Sequence, residues 1–146
     1  MNFSSLFRAA AISSSGLTAE RIRLEVTANN IANAFSTRTA EGGPFRRQDV
    51  VFVTALADEM GLTPRLGAEM AGVRATEIVD DPSPFNVVHM PGHPDADAQG
   101  YVRFPNVQLP MEMVNLVTAS RAYEANVRAG LAFREMSQQA LTLARS

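Results

Sequence analysis

The chain contains neither cysteine nor lysine. Without thiols it has no disulfide framework, no thiolate metal site and no cysteine nucleophile. Without lysine it has no glycine-rich loop ending in the amine that cradles nucleotide phosphates. All 13 basic residues are therefore Arg, whose planar fork suits fixed contacts to carboxylates and amides. They stand against 15 acidic residues for a net charge of -2, so no whole-chain cationic field is available, and nucleic acid is not an expected partner. Imidazoles are scarce, only His89 and His93, and no Gly-x-Ser-x-Gly elbow occurs. The parts needed for general-base and nucleophilic catalysis are missing, so neither an enzyme nor a small-molecule substrate is expected. Long apolar runs are absent too. The run Ala9-Ala10-Ala11-Ile12 stops at Ser13-Ser14-Ser15-Gly16, too short for the apolar region of a cleaved signal peptide. No stretch approaches the roughly 20 apolar residues of a membrane-spanning helix. Any export is expected to leave the N-terminus in place.

What is present is enough for about one domain with a core: 146 residues, 46% hydrophobic and 19% charged. The helix breakers divide it. All 8 Pro lie between Pro44 and Pro110, and among the 9 Gly only Gly16 and Gly130 stand near the ends. Two breaker-poor ends thus flank a middle of loops and strands. In the first end Phe3, Ala10, Leu17, Leu24 and Ile31 recur every seven residues, predicting a helix over about 3 to 34 with this stripe as its apolar side. In the last end Pro110 and Glu112 suit a first helical turn. Met113, Leu116, Tyr123, Val127 and Leu131 then follow at three- and four-residue steps, predicting a second long helix. Gly130 within it calls for a bend or a close neighbour. In the middle, residues 46–56, 73–79, 85–90 and 101–104 are rich in β-branched or aromatic residues between turn signals and predict a small antiparallel β unit. The stretch 57–72 has no clear period. The fold expected is α+β, with helical segments over 1–36 and 109–146 and a β-rich segment over 37–108.

Two motifs suggest ligands at first sight. His89, His93, Asp95 and Asp97 gather four potential metal ligands, but Pro91, Gly92 and Pro94 forbid the helix on which two His four apart share a face. Asp95 to Gly100 opens like a calcium loop, yet Asn106 stands where the closing Glu is needed. A small metal- or ligand-binding domain built on these four residues is the alternative to an assembly role, a helical-hairpin adaptor a third reading. No cofactor is expected. The polar chemistry on the helices points to packing. Asn29 and Asn33 lie one turn apart, with Asn30 beside them, and amides bridge neighbouring helices without burying a charge. Alternatively Asn33 ends the helix in a left-handed cap. On the second helix Tyr123 joins the apolar stripe while Arg121 and Asn126 point elsewhere, Arg121 free either to meet another subunit or to pair with Glu124.

Several passages together resemble one family. Ser14-Ser15-Gly16-Leu17-Thr18-Ala19-Glu20-Arg21, running into Thr27-Ala28-Asn29-Asn30-Ile31-Ala32-Asn33-Ala34, is similar to the N-terminal signature of the bacterial flagellar rod and hook proteins. Glu112 to Leu116 through Ser120 to Asn126 resembles their C-terminal signature. Gly42 to Arg47, Asp81 to Phe85 and Pro91 to Val102 resemble the proximal-rod branch. The resemblance implies a non-enzymatic building block of the periplasmic rod of the basal body. Its terminal helices would pack as a coiled-coil-like pair into a tube around the export channel and transmit torque. It further implies type III export without a cleaved signal peptide. The implied neighbours are other proteins of the proximal and distal rod, the adaptor joining rod to export gate, and the surrounding rings. The subunit-interface residues expected are Leu17, Leu24, Asn29, Asn30, Ile31 and Asn33 on the first helix and Leu116, Arg121, Tyr123, Asn126 and Val127 on the second.

Overall fold

A computed structural model describes residues 3–54 and 73–145. Helix α1 runs Phe3–Ala32 and helix α2 Leu109–Arg145, close to the limits that the breaker distribution sets. At 1.5 Å per residue these are rods of about 45 and 55 Å. They pack antiparallel: Gly16 of α1 meets Asn126 of α2, and Asn30 meets Glu112, so fourteen residues forward on one helix correspond to fourteen back on the other.

Between the helices lie four strands, β1 (Gln48–Thr54), β2 (Val73–Asp80), β3 (Asn86–His89) and β4 (Tyr101–Phe104). They form two separate two-stranded antiparallel sheets rather than one unit, β1 with β2 and β3 with β4. A register shift between Val51 and Phe52 puts a bulge in the first. An isolated hairpin is marginal in water, and this first one leans on α1, to which the Arg23 guanidinium, 4.5 Å over the Phe52 ring, joins it. Residues 57–72 lie outside the described residues.

The buried residues gather at one end of the helix pair. Val26, Thr27, Asn30 and Ala34 come from the second half of α1 and just beyond it, Val50 from β1, Val102 from β4, Pro105 and Val107 from the link to α2, and Glu112 and Ala119 from the start of α2. Among the side chains described, Ala19 is the buried one farthest along α1 towards the other end. The seven-residue stripe is therefore displaced from the observed seam. Leu17, Leu24 and Ile31 are half-buried, while the closest packing falls on small Gly16 and Ala19 and polar Thr27 and Asn30, beside one apolar residue, Val26. Two backbones can approach closely only where side chains are small, and here that requirement outweighs raw apolarity. Gly130 behaves differently from Gly16: among the described residues a Cβ there would meet nothing within 4 Å.

Candidate functional site

Four segments distant in sequence meet in a buried polar hub. Its centre is Glu112, on the first turn of α2 and only 1% exposed. A buried carboxylate needs both a counter-charge and hydrogen bonds. Arg47, which enters β1, donates from Nε to Glu112 Oε1 at 2.8 Å, and Asn30 Nδ2 of α1 donates to Oε2 at 3.3 Å. The Asn30 amide, itself 1% exposed, also clasps the strand entry: Nδ2 donates to Gln48 O at 2.8 Å and Oδ1 accepts Gln48 N at 2.9 Å. One side chain thus mimics a strand neighbour to Gln48 while holding the carboxylate of the other helix.

The Arg47 fork extends the hub outward, with Nη1 donating to Asp49 at 3.2 Å and Asp81 at 3.3 Å. Burial alone would lower the basicity of Arg47; the hydrogen bonds and charges of Glu112 and, after it, Asp49 together outweigh it, and the guanidinium titrates above its usual range. Asp81 is held below the ordinary carboxylate range by hydrogen bonds from Ser83 first, with the Arg47 charge acting the same way and partial burial opposing. Asn106 closes the ring: its Oδ1 accepts Arg47 N at 2.8 Å and its Nδ2 donates to the carbonyls of Asp81 and Ser83, each at 3.2 Å. Arg46 reaches the same two carbonyls while stacking 4.2 Å over Phe85. No buried side-chain polar atom among the described residues lacks a partner.

The residues expected at a subunit interface do not share one surface. Asn30 turns inward to the hub, where its amide is spent within the chain. Asn126 lies against Gly16 on the seam, and Leu116, Tyr123 and Val127 are half-buried beside it. Asn29 and Arg121 are exposed. Asn33 does not adopt a left-handed cap, since no non-glycine residue among those described has positive φ. Its Nδ2 instead folds back onto Asn29 O at 2.9 Å and Asn29 Oδ1 at 3.0 Å, and its Oδ1 accepts Ser36 Oγ. Glu124 pairs at 3.7 Å with Arg128 rather than with Arg121.

The His–Asp segment does not converge. It is the loop joining β3 to β4, and its carboxylates serve that loop and the segment after α1. Asp97 Oδ1 accepts the amides of Gln99 and Tyr101, while Asp95 accepts Thr37 Oγ1 and pairs with Arg38. His93 Nδ1 accepts the Asp95 amide, and the His89 ring lies 5.0 Å from Tyr101. Gly100, at φ 81°, takes the left-handed turn that returns the chain to β4, with Pro91 and His89 packed where a side chain would stand. Among the described residues no group of three or more His, Cys, Asp or Glu is placed to hold a metal, and no helix is long and apolar enough to cross a membrane.

Arg47, Asp81 and Asn106 are not among the site residues the sequence singles out, and Glu112 enters there as a first-turn acid and as part of the C-terminal signature. One signal was available for Glu112. It stands seven residues before Ala119 and fourteen before Asn126, and so on the seam, where a charge demands a buried partner.

Residues 11–38 match the family described as "Flagella basal body rod protein", and residues 98–143 that described as "Flagellar basal body rod FlgEFG protein C-terminal". The two matches cover most of α1 and nearly all of α2, together with Asn30, Glu112 and Asn106, but not Arg47. Among curated relatives, the flagellar basal-body rod protein FlgC of Yersinia enterocolitica is 44% identical over 132 residues, 90% of this chain and 92% of that one. That of Borreliella burgdorferi is 40% identical over 147 residues, 94% and 97% of the two chains. That of Bacillus subtilis is 39% identical over 148 residues, with the same coverage.

Proposed function

The chain belongs to the FlgC family and is a structural subunit of the flagellar basal-body rod; from this premise we propose that it polymerises through its two terminal helices, without catalysis, as part of the proximal rod. In this reading α1 and α2, within residues 1–36 and 109–146, build a tube that transmits torque and surrounds the export path. Residues 37–108 brace neighbours laterally. Its neighbours are other proteins of the proximal and distal rod, the adaptor at the export gate and the enclosing rings, in the periplasm, reached by export without a cleaved signal peptide.

The observation that carries this reading is the hub. Glu112, Asn30 and Arg47 tie both terminal helices to the strand region at a single point, so a load applied to either helix reaches the rest of the subunit through short, charge-assisted bonds. A binding domain would spend such groups on a ligand; here they are spent on one another.

The test is complementation of cells lacking their own subunit. The unsubstituted chain restores rods and swimming. Asn33→Leu breaks bonds at a partly exposed helix end, a loss of about 1 kcal/mol. That is too little to unfold the chain, so it is expected to leave a soluble protein while preventing rod assembly. Normal swimming by this variant counts against an interface at the end of α1.

A further inference from the structure

The outer faces of the two helices carry a pattern that the seam between them does not use. On α2 the exposed positions Val114, Val117, Arg121 and Glu124 follow at alternating three- and four-residue steps, the two valines 60% and 52% exposed. On α1 the exposed positions Ala32, Ala28, Glu25 and Arg21 do the same in the reverse direction. Set antiparallel and slid four residues from the register of the chain's own seam, these faces complement each other. Val114 then comes over Ala32, Val117 over Ala28, Arg121 beside Glu25 and Glu124 beside Arg21. Bulk meets space, and each charge meets its opposite. In the unshifted register Arg121 stands level with Arg21 and Val117 with Glu25, so like charges oppose and a valine faces a carboxylate.

We infer that the outer face of α2 docks on the outer face of α1 of a second copy of this chain, offset by four residues. The inference rests on the rod reading and adds to it the surface, the occupant and the register. The charges are available for it. The pairs Arg21–Glu25 at 3.3 Å and Glu124–Arg128 at 3.7 Å are solvent-exposed on their own helices and hold little there. Between two helices the four charges form an alternating network shielded from water. The offset corresponds to an axial step of about 6 Å. A contact between two different faces with such a step does not close into a ring; it propagates as an open helix. Pairing α2 with α2 across a two-fold axis would match Arg121 to Glu124 but set Val117 against Arg128, and it would stop at a dimer.

The chain has no cysteine of its own, so introduced ones report cleanly. Ala28 and Val117 are exposed on faces turned away from each other within one chain, so a disulfide between them joins two chains. Basal bodies are isolated from cells whose only copy carries Ala28→Cys with Val117→Cys, then oxidised. A ladder of covalent oligomers is expected, at least ten-fold more abundant than from Glu25→Cys with Val117→Cys, the unshifted register. A stronger ladder from the latter pair, a dimer from Val117→Cys alone, or no link although the chain is present overturns the contact while leaving the rod reading intact. Absence of the unsubstituted chain from basal bodies removes both. Independently of cysteine, Arg121→Glu is expected to reduce swimming cells at least ten-fold and added Glu25→Arg to restore them; failure of that rescue also overturns the contact.

Discussion

Glu112 shows how a single residue can join parts of a chain that sequence order keeps apart. Its carboxylate is 1% exposed and answers Arg47, 65 residues earlier, and Asn30, 82 residues earlier. Removing Glu112 takes from Arg47 its shortest carboxylate contact and leaves the guanidinium with Asp49 and Asp81. Glu112→Ala is therefore expected to destabilise the isolated chain by about 2 kcal/mol in chemical denaturation, the loss of one charge-assisted hydrogen bond. Asn106→Ala, which releases only neutral bonds, should cost about 1 kcal/mol. The acid side has its own signature. Asp81 titrates below its usual value of 3.8, so the stability it contributes is complete above that value and is lost as pH falls through its lower, folded value. Asp81→Asn should flatten the acid limb of the stability profile measured by thermal unfolding against pH. An unchanged limb would assign it to other carboxylates. Little of this was legible in the sequence. The Asn pattern drew attention to Asn30, but nothing in composition or period says which basic residue will find a buried acid.

The elements were more legible than their faces. Uneven distribution of Pro and Gly set both helices and the strand region close to their observed limits, because a breaker acts locally whatever the tertiary context. Which side of α1 packs is not local. The apolar stripe through Leu17 and Leu24 is displaced from the seam because the crossing partner selects Gly16 and Ala19, where the backbones can come near. The two helical glycines make this testable. A Cβ on Gly16 would stand 2.9 Å from Asn126 Nδ2, so the gain of about 1 kcal/mol in helix propensity for Gly16→Ala is offset by displacement of that amide. In an Asn126→Ala background the same substitution should show the gain. Gly130 has open space, and Gly130→Ala should favour the helical form of the far half of α2 by about 1 kcal/mol, read as a gain in helicity by circular dichroism of the isolated chain. A loss of helicity would show that α2 bends at that point in solution.

Taken whole, the molecule is finished at one end and open at the other. Both helices, both hairpins and the hub contribute buried residues near Asn30 and Glu112, whereas beyond Ala119 no described residue of α2 is fully buried. Leu131, Met136 and Leu141 along that far half are 55%, 43% and 57% exposed, each on a different side of the helix. In the proposed rod, a subunit built this way carries a fixed anchor at one end and would meet its neighbours along the other. The sequence resemblance to rod proteins divides the chain differently, terminal helices against a β-rich middle, and expects the helix asparagines at interfaces between subunits, while the Asn30 amide is spent on the anchor.

Backbone amide hydrogen exchange, measured on the dilute chain and again on the chain within isolated basal bodies, tests this division most directly. Residues 19–32 and 105–119 should be protected in both samples, and residues 124–145 should become strongly protected only in the basal body. Equal protection of 124–145 in the dilute chain, or exchange around Asn30 and Glu112 as fast as at the far end of α2, would contradict it.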